Sequence, residues 1–113
     1  SIISIIIICL TLVFNVQNSL ADNEENFEMF MSQWNEKKEL ASNYLLKAEE
    51  QFKAGDELSA CATQKEASEY GIDATKALIY AMEINGTTDS LENLQAGLNK
   101  WKEIGEVCGS IFN

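Results

Sequence analysis

The stretch Asp56–Ile84, DELSACATQKEASEYGIDATKALIYAMEI, decides the fold. Ala60, Thr63, Ala67, Tyr70, Ala74, Ala77, Ala81 and Ile84 follow one another at alternating steps of three and four. That spacing puts all of them on one face of an α-helix. Alanine returns every seventh residue along the face, at 60, 67, 74 and 81. Side chains this small let a neighbouring helix approach toward the low end of the usual ~8–10 Å separation. Tyr70, Leu78 and Ile84 add bulk beside the alanine line. Asp56 is a natural N-cap. Gly71, in mid-helix, costs about 1 kcal/mol relative to Ala and so marks a tight contact or a bend.

Upstream, Phe27, Met31, Trp34, Lys38, Ala41, Leu45, Ala48 and Phe52 repeat the spacing, with Lys38 as the one charged member. Its aliphatic stem can lie along the apolar face while its ammonium stays in water. Asp22, Glu24, Glu25 and Glu28 crowd the start of this run, where negative charge suits the helix dipole. Lys53-Ala54-Gly55 supplies a cation and then a glycine at its end. Downstream, Asn85-Gly86-Thr87-Thr88 reads as a turn. A third apolar line follows through Leu91, Leu94, Leu98, Trp101, Gly105, Cys108 and Phe112, widened by Ile104, Val107 and Ile111. Asp89 and Glu92 have the spacing of a capping box at its start.

The expected architecture is all-α, a small antiparallel three-helix bundle with helices near 24–53, 57–84 and 89–112. The N-terminal stretch SIISIIIICLTLVFNV carries no charge and is followed by a short polar patch and Ser19-Leu20-Ala21. Small residues two apart after an apolar core match a signal-peptidase site. Residues 1–21 are therefore read as a signal peptide, and residues 22–113 as a single helical domain. The alternative, an uncleaved anchor, fits less well, because Ile2–Val16 falls short of the roughly 20 apolar residues that span a bilayer.

Removing residues 1–21 removes Cys9 and leaves Cys61 and Cys108. An even number of cysteines in an exported chain reads as one disulfide, with two free thiols as the alternative. A hairpin about Asn85 supports the pairing, since the midpoint of Cys61 and Cys108 falls between Ile84 and Asn85. Neither cysteine lies in a C-x-x-C motif, so redox or zinc chemistry has little support.

Composition narrows function. The 113 residues hold 18 Asp and Glu against 8 Lys, with no Arg, His or Pro, for a net charge of −10. Without His there is no imidazole-based triad, zinc ligand or neutral-pH switch. Without Arg, and with this acidity, partners of the nucleic-acid class are not expected, nor is a basic membrane-binding face. Glu66, Glu69 and Asp73 share a helical face, but a helix face alone offers too few convergent oxygens for a divalent cation. They read as a solvated acidic face. No serine sits in a G-x-S-x-G elbow and no glycine-rich loop cradles phosphate. No cofactor is expected, and the chain does not read as an enzyme.

Two features point outward. Asn85-Gly86-Thr87 is an N-glycosylation sequon in an exposed turn, or simply a turn using Asn-Gly chemistry. Met29, Phe30 and Met31 cannot all face one core, so Met29 or Phe30 is a candidate partner contact or homodimer seam. Ile111 and Phe112, at the apolar end of the third helix, are a second candidate contact. The expected function is extracellular and non-catalytic: a small secreted acidic glycoprotein, without a stable membrane anchor, that engages an extracellular protein or a small apolar ligand. An inhibitor of a secreted enzyme is the first alternative, and a carboxylate-based hydrolase the second.

Overall fold

The structure, a computed structural model, describes the backbone of residues 2–108 and the side chains of residues 23–108. Three helices account for nearly all of it: α1 Ile2–Lys53, α2 Glu57–Ile84 and α3 Leu91–Glu106. Among the described residues there is no strand.

Helix α2 has the expected bounds, and its start is the expected one. Asp56 accepts a hydrogen bond on its side chain from the Ser59 backbone N–H at 3.3 Å. Helices α1 and α2 end by the same device. Gly55 and Gly86 take φ of +82° and +72°, a conformation that costs glycine little and other residues roughly 1–2 kcal/mol. In each case two backbone N–H groups turn back onto the last helical carbonyls. Asp56 N donates to Gln51 O at 3.0 Å and Gly55 N to Phe52 O at 3.1 Å. Thr87 N donates to Met82 O at 2.9 Å and Gly86 N to Glu83 O at 3.1 Å. These are Schellman closures, and they fix where the chain leaves α1 and α2.

Three boundaries differ from expectation. Helix α1 begins at Ile2, where the sequence reading placed a helix start near residue 24. Residues 1–54 contain neither Gly nor Pro, so nothing chemical interrupts the helix between the apolar run and the amphipathic one. At 1.5 Å per residue such a helix is about 78 Å long, which accounts for a longest dimension of 81 Å. Helix α3 starts one or two residues late, with Ser90 at the N-cap position and no side-chain cap bond. The Asp89–Glu92 box is therefore not formed. Helix α3 stops at Glu106, not at 112, and Val107 and Cys108 are already in a turn.

Helix α2 is the middle element and packs on both others, while α1 and α3 meet little. Its alanine line faces α1, and Ala60, Ala67, Ala74, Ala77 and Ala81 are buried along with Ala41 and Ala48 of α1. The contacts step along both helices in opposite order. Phe30 lies against Tyr80, with ring centroids 5.4 Å apart, and Tyr44 against Tyr70 at 5.3 Å.

A second face of α2 takes α3, through Cys61, Gln64, Ser68, Gly71 and Thr75. A Cβ on Gly71 would overlap the Trp101 indole, and a Cβ on Gly105 would lie 3.1 Å from the Ser68 Cβ. Each helix thus offers a glycine hole to a side chain of the other. Gln64 Nε2 reaches the Ile104 carbonyl at 3.0 Å. Cys61 and Cys108 stand at disulfide distance with Cα atoms 5.6 Å apart, which locates the end of α3 beside the start of α2.

Candidate functional site

With the interior given mainly to alanine, and to Ile79 and Leu98 among the larger side chains, several large apolar residues lie on the flanks of the bundle. Met29 is 46% exposed, and Leu46 and Leu58 are each 61% exposed. Phe30 is half-buried, because its ring rests on Tyr80. Of the two candidate contacts near the start of the amphipathic run, Met29 is thus the open one, while Phe30 is tied to α2. Ile111 and Phe112 lie outside the described residues.

The long sides of α1 and α2 form a mixed aromatic and charged face. Tyr44 and Tyr70 stack at 24° between planes. Lys37 places its ammonium 5.2 Å from the Tyr70 ring centre and Lys47 lies 5.9 Å from that of Tyr44, both within cation–π range. The adjacent Tyr44 pushes the Tyr70 phenol above its ordinary value, helped by desolvation and then by Glu66 and Glu69. A shallow groove of about 520 Å³ runs beside this face, lined by Phe30, Lys37, Asp73, Lys76 and Tyr80. Its lining sets Glu36, Lys37, Asp73 and Lys76 among the Phe30 and Tyr80 rings, so it offers charged and aromatic contacts together.

A groove of different character lies between α1 and α3. Leu45 of α1 and Gly97, Lys100, Trp101 and Ile104 of α3 enclose about 340 Å³. Its walls are apolar, and among the described residues Lys100 is the only charged one on them. It exists because both outer helices sit on α2 without closing on each other. Sequence reading placed Leu45 and Trp101 on core lines. Only the arrangement of the helices leaves part of each line facing a groove.

At the opposite end from the Asn85 turn, Phe52 is 41% and Val107 71% exposed, near Leu58 and the Cys61–Cys108 pair. Asn85 is the C-cap residue of α2 and is exposed, with its side-chain amide donating to Thr87 Oγ1 at 3.2 Å. Glu66, Glu69 and Asp73 are exposed, and among the described residues no cluster of three or more potential ligands is placed to hold a metal ion. Trp34 is half-buried with the Lys38 ammonium 4.0 Å from its ring centre, so the charged member of the α1 line is accommodated by an aromatic face. Among the described residues no helix is long and apolar enough to cross a membrane.

Comparison with protein-family models, with curated proteins and with solved structures finds no match for this chain.

Proposed function

We propose that the chain is a secreted, non-catalytic binding protein. Residues 1–21 act as a signal peptide, and residues 22–113 form an antiparallel three-helix bundle carrying carbohydrate on Asn85. The bundle engages an extracellular protein or a small apolar ligand. The observation that carries this reading is the division of side chains by size. The interior is built mainly from Ala41, Ala48, Ala60, Ala67, Ala74, Ala77 and Ala81, with Ile79 and Leu98, while Met29, Leu46, Leu58 and Val107 are exposed. Exposed apolar surface on an acidic body suits contact better than chemistry.

The opposed stepping of the Phe30–Tyr80 and Tyr44–Tyr70 contacts supports the antiparallel order of α1 and α2. The end of α2 lies level with Asn23–Glu28, around a groove lined by Phe27, Ile84 and Asn85. The bundle therefore begins just past Ala21, which suits removal of residues 1–21. The inhibitor reading is favoured by one feature, the exposed Phe52, Leu58 and Val107 beside the cysteine pair, which would form a rigid apolar tip.

Expression in a secreting eukaryotic cell tests the proposal. The protein should reach the medium with Asp22 at its N-terminus and lose mass on glycosidase treatment unless Asn85 is replaced by Gln. Capture from the native extracellular fluid, followed by mass spectrometry of proteins and lipids, should return a partner. A cell-retained protein that keeps residues 1–21 would overturn the reading.

A further inference from the structure

The three glycines inside helices α2 and α3 are not alike. Gly71 is filled by Trp101 and Gly105 by Ser68, so both admit a neighbouring helix. Gly97 has nothing within 4 Å of where its Cβ would stand. A mid-helix glycine costs about 1 kcal/mol relative to alanine, and at Gly97 no contact among the described residues offsets that cost. Gly97 lies on the wall of the α1–α3 groove with Leu45, Trp101, Ile104 and Lys100.

We propose that this groove binds a single-chain amphiphile with an anionic head, of the fatty-acid class. The inference rests on the secreted-binder reading and names its ligand. The volume of about 340 Å³ is at the small end of the ~300–1,000 Å³ range of small-molecule sites. Leu45, Trp101 and Ile104 provide apolar and aromatic surface for the tail, and the missing side chain at Gly97 keeps the wall open. Charge selects the head. On a chain with 8 Lys against 18 acidic residues, the charged group that lines this groove among the described residues is a cation. A basic protein segment, the partner that the overall charge would attract, meets Lys100 with the wrong sign. A second copy brings ten net negative charges to this acidic chain where a fatty acid brings one.

The test is a palmitate titration of residues 22–113 secreted from the full chain, at submicellar concentration. Trp101 fluorescence is read in a Trp34→Phe background. The expected result is a saturable change at one site per chain. Gly97→Leu should abolish it while leaving helicity by circular dichroism unchanged, since open space surrounds that position. Lys100→Gln, on the exposed surface, should weaken palmitate by about fivefold and leave hexadecanol unaffected. Absence of saturable binding, or binding untouched in both variants, overturns the proposal. A concentration-dependent dimer lost in Gly97→Leu also overturns it, assigning the groove to a second copy. A secreted protein that captures an extracellular protein but no palmitate loses this inference and keeps the broader reading.

Discussion

Helix α2 holds two partners by different means. Against α1 it presents a line in which alanine recurs every seventh residue, and Ala60, Ala67 and Ala81 are fully buried opposite a helix whose buried positions among the described residues are Ala41 and Ala48. Against α3 it presents Cys61, Gln64, Ser68, Gly71 and Thr75. These polar residues spend their hydrogen bonds nearby. Ser68 Oγ donates to the Lys65 carbonyl at 2.7 Å, Thr75 Oγ1 to the Gly71 carbonyl at 2.8 Å, and Gln64 Nε2 crosses to Ile104 O. Satisfied in this way, they pack without the penalty of buried unpaired groups. The alanine seam is long and uniform. The other is short and rests on Leu98, two glycine holes and the cysteine pair.

On that difference, reduction should have the largest effect. The sequence separation of 47 gives a closed loop worth about 4 kcal/mol on the chain-entropy estimate. Cys61→Ser or a reducing agent should lower the unfolding free energy by about that much in a denaturant titration. Next come substitutions that force a seam apart. Ala67→Leu at the alanine seam and Gly71→Ala under Trp101 should each destabilise by about 1–3 kcal/mol through overpacking, with Gly71→Ala recovering part of its loss from better helix propensity. Gly97→Ala has the same propensity gain and no clash, so its melting temperature should rise, with a gain of up to ~1 kcal/mol. The opposite signs at Gly71 and Gly97 separate a packed glycine from an open one.

The alanine seam was legible because its period stands out against hydropathy: four alanines at seven-residue intervals, matched by Ala41 and Ala48. The second seam was not. Gln64, Ser68 and Thr75 look like solvent-facing residues, and nothing in the chain announces that Ser68 and Thr75 satisfy their donors within the helix while Gln64 reaches across to Ile104. Gly71 was visible as an anomaly but not as the seat of Trp101, which lies thirty residues away in sequence. The Cys61–Cys108 register was recoverable because the two positions are symmetric about the Asn85 turn. The groove between α1 and α3 was out of reach, since a linear pattern cannot show that two outer helices leave a gap. The break expected near residue 24 failed for a simpler reason: a change in composition alone does not stop a helix, and residues 1–54 hold neither Gly nor Pro to interrupt the backbone.

The smallest effects belong to the rim of the first seam. Lys38→Ala removes a cation 4.0 Å from the Trp34 ring centre and should cost about 0.5–1 kcal/mol at this exposed site. Glu49→Gln loosens an exposed i,i+4 pair with Lys53 at 3.2 Å and should cost no more than about 0.5 kcal/mol. Both should be read as midpoint shifts in urea. A larger loss from the salt bridge than from the cation–π pair would mean that the rim contributes more to the α1–α2 seam than its packing implies.

Native-state hydrogen exchange, with and without reductant, reaches the difference between the seams most directly. After reduction, amides in Leu91–Glu106 should lose protection by about a thousandfold, the equivalent of the roughly 4 kcal/mol loop term. Amides around Ala41–Ala48 and Ala67–Ala81 should lose clearly less. Equal loss across all three helices, or earlier opening of the α1–α2 seam, would contradict the view that α2 holds its two neighbours by separate means.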